Sequence, residues 1–456
     1  MKQLFLLSFF ISLWLSVSAQ NPIVPPGVFI ADPSAHVWSD GKLYVYGSRD
    51  ESPAHYCSRS YRVLSSDDLR SWKLSGESFA TKSKGDKGPF RDSLLLAPDA
   101  QYRDGKYYLY YCLFDFKNAE GVAVSNSPTG PFLDRKPIYV KGISQIDPCV
   151  FMDDDGQAYF IWGQFNGKVA KLKSNMTEID TTTIKENVVT QKEHHFHEGG
   201  YMIKRNGLYY FIYADVSRSG RPTCLGYSTS KSPFGPFVYR GVIIDNSNSD
   251  PAVWNNHGSL VKFKDRWYVF YHRPTNGSVA MRKACLEPIE FKPDGSIPEV
   301  EMTSQGAAGP LNPFDETDAA RACLVMGNVR IKTISENNDV LGEIHSGDKA
   351  AFKYFDFKDG ADSVSIRLAP GSKPCRIVLN LDDSWGGSIG NIDVPAKGSA
   401  DWITVKAAVK VQKGVHAVWF RFADPATSNM MGMPIGNDTQ PCAELLQVDA
   451  FQFHKK

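Results

Sequence analysis

One phrase returns five times along this chain: a small polar or acidic motif, a few apolar residues, a turn, then an aromatic-rich strand. The copies are ADPSAHVWSDGKLYVYGS from Ala31, APDAQYRDGKYYLYY from Ala97, IDPCVFMDDDGQAYFIWG from Ile146, HEGGYMIKRNGLYYFIYA from His197 and NHGSLVKFKDRWYVFYH from Asn256. A phrase recurring at roughly 50–65 residues belongs to a radial or stacked architecture, because one such unit cannot bury its own apolar face. Each copy reads as two strands joined by a tight turn. Asp40-Gly41, Asp104-Gly105, Asp155-Gly156 and Asn206-Gly207 are strong hairpin signals, and Lys264-Asp265 holds the matching place in the fifth copy. The strands KLYVYGS, KYYLYY and RWYVFYH alternate with period 2. A second phrase, VAVSNSPTGPF from Val122 and LGYSTSKSPFGPF from Leu225, marks the outer part of the units. The fold class is therefore all-β, with a five-bladed β-propeller over residues 20–302.

Beyond the repeats the character changes. MTSQGAAGPLNPFDE is rich in Gly, Pro and small residues, and 303–316 reads as a linker. Residues 317–456 carry further alternating strands (SVSIRLA, RIVLNL, WITVKAAV, HAVWFRF), which predict a β-sandwich of jelly-roll type. Ahead of the repeats, residues 1–19 combine one Lys, an apolar run and Val17-Ser18-Ala19. This is the pattern of a secretory signal peptide cleaved after Ala19, so a periplasmic or secreted location is expected. The run is too short for a comfortable membrane span. With a formal charge of +1, the chain does not suit a polyanionic partner, which argues against nucleic acid and favours a neutral substrate. None of the eight cysteines forms a C-x-x-C pair, which argues against zinc; several sit inside apolar strands, so buried free thiols are expected.

The chemistry lies in the residues that open the repeats. Asp32 and Asp147 each precede a proline, which is expected to hold them extended at the start of a strand. Glu198 holds the matching place in the fourth unit, and Asp99 a similar one in the second, after its proline rather than before it. Acids that open the innermost strands of different blades converge at one end of the channel. Asp-Pro is also common turn chemistry, as Asp250-Pro251 and Asp424-Pro425 illustrate, but three acids in register with a repeat are a pattern. Converging carboxylates beside a neutral substrate suit glycoside hydrolysis: one protonated to donate, one ionised to activate water, a third to tune the donor. The acid–base gap is expected to be roughly 6.5–9.5 Å for direct attack by water. A metalloprotease reading needs H-E-x-x-H, and Tyr201 stands where the second His should be. Gly199 and Gly200 are expected to leave room for a substrate. His257 opens the fifth unit as a cation ligand, a sugar contact or a packed residue; Arg282 is a lone cation in a strand.

These residues, with the tail RKACLEPIEFKPDGSI, resemble glycoside hydrolase family 43 from about Gly27 to Thr303. The resemblance implies a five-bladed propeller and inverting hydrolysis, with Asp32 as general base, Glu198 as general acid and Asp147 tuning the acid. It implies an axial calcium or water site at His257 and an active-site, substrate-binding role for Arg282; Asp99 is expected to bind substrate from its place in the repeat. The substrates implied are α-L-arabinofuranosides and β-xylosides of plant cell-wall oligo- or polysaccharides, with arabinan and galactan in some branches. The insert Glu51 to Leu96 could wall off a pocket, favouring exo action; an endo-acting arabinanase and a non-catalytic sugar-binding propeller are the rivals.

The C-terminal domain resembles carbohydrate-binding module family 6 in GSADWITVKAAVKVQKGVHAVWFRF and LLQVDAFQF. It departs from that family where sugar should bind. Arg321 and Cys323 stand where a calcium-holding Glu pair is expected, Ser399 near the stacking Trp, and Gln447 in place of Asn; Trp402 matches the buried Trp. The expectation is a retained fold whose main cleft is lost or moved, with Trp385 as the relocated platform.

Overall fold

The computed structural model describes residues 20–81, 92–114, 120–143, 145–218, 220–250, 255–397, 401–426 and 444–455. Residues 1–19, expected to be a signal peptide, and Ser399 and Cys442 lie outside the described residues. Strands dominate, in two bodies packed together.

The first body is the five-bladed propeller. Blade one is built from Ile30–Val37, Leu43–Arg49, Leu64–Ser66 and Lys73–Leu74, blade two from Asp99–Arg103, Lys106–Cys112, Glu120–Ser125 and Leu133–Pro137. Blade three has Cys149–Met152, Ala158–Trp162, Asn166–Lys171 and Lys185–Thr190; blade four has Phe196–Arg205, Leu208–Asp215, Cys224–Ser230 and Val238–Asp245. Blade five has three strands, Ser259–Phe263, Arg266–Thr275 and Ser278–Ile289. The hairpins fall where the turn dipeptides stand. In Asn206-Gly207 both residues have positive φ, 50° and 77°, the twist a two-residue hairpin needs. The ring is closed by the first described residues. Ile30 pairs in parallel with Lys283 of blade five, Ile23 donates its N–H to Ala284 O, and the Asn21 side chain bonds Leu286 and Glu287 further along the same strand.

The second body is the jelly roll. Its two sheets enclose a core that includes Phe352, Phe355, Phe420, Phe422, Phe451 and Phe453. Residues 303–316 are not the free linker that their composition suggests. Thr303 bonds Glu287 in blade five at 2.7 Å, Ser304 is fully buried, and Leu311 donates to Tyr354 O in the jelly roll. Small residues serve here for close packing rather than for flexibility. The domain interface is extensive: Cys323, Ala351, Ala417 and Trp419 join one apolar cluster with propeller residues, and Lys283 pairs with Asp339 at 2.7 Å, both buried. All seven described cysteines are buried free thiols. Among the described residues no helix is long and apolar enough to cross a membrane.

Candidate active site

A cavity of about 240 Å³ receives residues from every blade: Asp32 from the first, Ala97 from the second, Asp147 and Gln164 from the third, Glu198 from the fourth, and His257, His272 and Arg282 from the fifth. The repeats thus bring Asp32, Asp147 and Glu198 together, with His257 and Arg282 beside them. The backbone that aims the acids is irregular. Proline was expected to keep the preceding aspartates extended; instead Asp32 and Asp147 have φ of 51° and 56°. The ladder of blade one slips between Ala31 and Ser34, and that of blade four slips on either side of Glu198. Bulges of this kind turn a side chain out of the strand's alternation and into a site. Left-handed backbone at a non-glycine residue is held only where the surroundings enforce it.

The two aspartates have opposite surroundings. Asp32 Oδ1 lies 2.8 Å from Arg282 Nη1, and Oδ2 accepts from Ser48 Oγ at 2.6 Å. Arg282 is held in turn by a fork to Asp50, two bonds of 2.9 Å. Burial raises the Asp32 carboxyl, but Arg282, His257, His272 and Ser48 outweigh it and hold it at about 2. Burial, then Arg282, hold His272 down at about 3, and burial also lowers His257. Both imidazoles are therefore neutral near pH 7, so the positive charge facing Asp32 is that of Arg282. Asp147 has no such cation. Burial, then the charges of Glu198, Asp32 and Glu120, push it well above the usual carboxylate range, against the Gly199 N–H. Glu198 faces the cavity more openly, and its Oε2 accepts from Gln164 Nε2 at 2.6 Å.

The glycines after Glu198 do not leave substrate space as expected. A Cβ on Gly199 would stand 2.8 Å from the His257 ring, and one on Gly200 would stand 2.7 Å from Phe211. Gly199 (φ 69°) instead lets His257 pack against blade four. His257 Nδ1 lies 3.7 Å from Asp32 Oδ1. Calcium takes six to eight oxygen ligands. Here the chain offers one imidazole nitrogen and a carboxylate already bonded to Arg282. No group of three or more His, Cys, Asp or Glu that could hold a metal occurs among the described residues. The donor set does not fit a calcium ion caged by side chains.

The profile of glycosyl hydrolases family 43 matches residues 19–297. The chain belongs to this family. It is 31% identical to a xylosidase/arabinosidase of Thermoclostridium stercorarium, over 92% of this chain and 99% of that one. An arabinoxylan arabinofuranohydrolase of Bacillus subtilis is 29% identical over 93% of each chain. Among solved structures, a family 43 arabinoxylan arabinofuranohydrolase from Bacillus subtilis, in complex with cellotetraose, superposes with a TM-score of 0.54 at 26% identity, covering 96% of this chain and 99% of that one. A family 43 β-xylosidase/α-arabinofuranosidase from a compost metagenome, described as a calcium-free form with xylotriose, superposes with a TM-score of 0.54 at 31% identity, covering 63% of this chain and 99% of that one. As a family 43 member the protein is a glycosidase acting on O-glycosyl bonds. The profile of carbohydrate binding module family 6 matches residues 320–433.

One expected site residue of this family 43 chain lies elsewhere. Asp99 is 1% exposed and is not part of the cavity wall. Its oxygens take Ser34 Oγ (2.5 Å), His36 Nε2 (2.6 Å) and the Val150 N–H (2.6 Å), which tie blades one, two and three together. Placing it after the proline rather than before it moves it along the strand and away from the opening. Sequence reasoning missed Tyr56, Gln164, His272 and Asp50. His272 ends the phrase RWYVFYH and Gln164 follows the third phrase, so position in the repeat was their one available signal. In the jelly roll, Arg321 pairs with Asp318 at 3.3 Å and Cys323 is fully buried, so neither offers a calcium ligand. Trp402 is half-buried rather than buried, with Arg367 5.8 Å from its ring.

Proposed function

We propose that this glycosidase is exo-acting and inverting, releasing α-L-arabinofuranosyl or β-D-xylosyl units from plant cell-wall oligo- or polysaccharides. One observation carries the reading: Asp32, paired with Arg282, and Asp147, raised well above the usual carboxylate range, meet Glu198 in a single cavity. Water attacks the anomeric carbon opposite the leaving oxygen, and Asp32 takes its proton. The glycosidic C–O bond breaks, and Glu198 gives a proton to the departing oxygen. One proton enters Asp32 and one leaves Glu198, and both return through solvent. A carboxyl at about 2 is a weak base, but the attacking water becomes acidic as its bond to the sugar forms, so the requirement is ionisation. Arg282 secures that state. Burial and the Glu198 charge push Asp147 well above the usual carboxylate range, and Glu198 is the more open of the two to substrate.

Tyr56 and Cys57, from the segment between the second and third strands of blade one, stand in the cavity wall and favour exo action. The Tyr56 hydroxyl accepts from Asn255 Nδ2 at 3.1 Å, which braces that wall. The names of the relatives, xylosidase/arabinosidase and arabinoxylan arabinofuranohydrolase, support the substrate class. Residues 1–19 are proposed to direct export.

Activity on p-nitrophenyl α-L-arabinofuranoside and β-D-xyloside tests the reading, with Asp32→Ala and Glu198→Ala alongside. Hydrolysis of at least one, lost in both variants, is expected, and NMR should find the released sugar first in the inverted anomer. Inactivity on both, and on xylan and arabinan, would sink the exo assignment. Full activity in either variant would sink that residue's role.

A further inference from the structure

Beyond the domain contact made by Ala351, Ala417 and Trp419, the outer face of one jelly-roll sheet carries two adjacent cations. On Val415–Ala423, Val418, Phe420 and Phe422 point into the core, so Arg421 points outward. Lys349, on Lys349–Asp356, lies directly opposite Arg421 in the antiparallel ladder. Like charges so placed repel. Arg421 is 5% exposed, and its Nε and Nη1 are buried with no hydrogen-bond partner among the described residues. Lys349 Nζ reaches Ser384 Oγ at 3.4 Å. The acid acting on Lys349 is Asp383, which raises it against burial and Arg421; its Oδ1 already accepts the Trp385 backbone N–H at 2.7 Å, and burial lowers Arg421. Over the pair lies the Trp385 indole, 52% exposed, with Lys349 Nζ 4.3 Å and Arg421 Cζ 4.4 Å from its centroid. An indole attracts cations through its face but accepts no N–H···O bond, so the buried donors remain unpaired.

A ligand that completes this site needs a carboxylate for the cations and an apolar face for the indole. A neutral pentose would leave Arg421 unpaired, and a simple anion would not use the open ring. We propose that this face of the jelly roll binds a saccharide bearing a uronic acid, its ring on Trp385 and its carboxylate on Arg421 and Lys349. The site is distinct from Arg321, Trp402 and Gln447, where the module family's cleft was expected. It also stands apart from the catalytic cavity, so it holds or fails independently of the proposed reaction.

Affinity gels decide it, run on the full chain carrying Glu198→Gln so that migration reads binding alone. The gels contain glucuronoxylan, neutral arabinoxylan, polygalacturonate or dextran sulfate. Retardation on glucuronoxylan is expected, weakening with salt and lost in Trp385→Ala and in Lys349→Gln. Calorimetry should find a xylo-oligosaccharide with a glucuronate branch bound about tenfold more tightly than the unbranched one, the scale of one charge-assisted hydrogen bond. Retardation on polygalacturonate as well extends the proposal to uronates in general. No retardation on either uronate gel overturns it, as does equal retardation on neutral arabinoxylan that Lys349→Gln leaves unchanged. Retention on dextran sulfate that survives Trp385→Ala marks unspecific ion exchange and overturns it too. Because Lys349 is only partly buried, its variant keeps the test meaningful if Trp385→Ala disturbs the loop.

Discussion

Asp32 at the mouth of blade one and Asp147 at the mouth of blade three start from the same local sequence. Each precedes a proline, each has a φ between 50° and 60°, and each is 6% exposed. Their carboxyls are nevertheless pushed in opposite directions, Asp32 down to about 2 and Asp147 well above the usual carboxylate range. Arg282, 250 residues from Asp32 in the chain, supplies one carboxylate with a cation at 2.8 Å. Asp147 has Glu198, Asp32 and Glu120 as charged neighbours instead. Burial raises both, and Arg282, with His257, His272 and Ser48 behind it, reverses the outcome for one. The repeat sets where an acid sits, and the long-range partner sets what the acid can do.

Removing the ionised member should have the largest effect. Asp32→Asn should lower kcat by about 10²–10⁴-fold, the usual contribution of a general base, and circular dichroism should show a folded chain. Next, Arg282→Met should make Asp32 resemble Asp147. Burial then dominates, so the acidic limb of kcat/KM should move up from near pH 2 toward neutrality. Leaving Asp50 and Asp32 buried without their cation should also destabilise the fold by about 3–5 kcal/mol, read from urea melts. An unmoved acidic limb would show that Arg282 does not set the charge of Asp32. Smaller still is the effect of Asp147→Asn on stability. A carboxyl whose folded pKa is raised keeps its proton while the unfolded chain ionises near pH 4, so the wild-type protein loses stability as pH rises from about 4 toward the folded value. Asn cannot titrate, so the variant should melt higher than wild type at pH 7 and lose that advantage near pH 4. Asp32 contributes with the opposite sign: its stabilisation, about 2–3 kcal/mol for a shift from 3.8 to about 2, is present above pH 4 and lost toward pH 2.

The repeat made the propeller, its hairpins and three of its acids legible, because turn dipeptides and period-2 strands are local properties of the chain. What stayed hidden depends on distant partners. The left-handed backbone at Asp32 and Asp147 contradicts the preference imposed by the following proline, and at Asp32 it coincides with a slip in the ladder. The space beside Gly199 was readable as space, but not as the berth of His257 from another blade. Composition made 303–316 look like a tether, whereas Ser304 is buried between two domains. The departures at Arg321 and Cys323 were visible as letters, and the cation pair under Trp385 appears only once two strands are in register.

Asp99 offers the smallest effect and the sharpest contrast, since it is a third aspartate opening a repeat. Its carboxylate accepts from Ser34, His36 and the Val150 backbone and lies outside the cavity wall. The amide in Asp99→Asn can still accept from Val150, but it loses the charge that the bond to His36 exploits. A loss of about 1–3 kcal/mol, the scale of a buried charge-assisted hydrogen bond, is expected in thermal melts. With the blades still closed, kcat and KM on the p-nitrophenyl glycosides should stay within about threefold of wild type, far from the loss expected for a general base. A fall of a hundredfold in kcat with an unchanged melting temperature would place Asp99 in the chemistry after all. The three aspartates would then differ in degree rather than in kind.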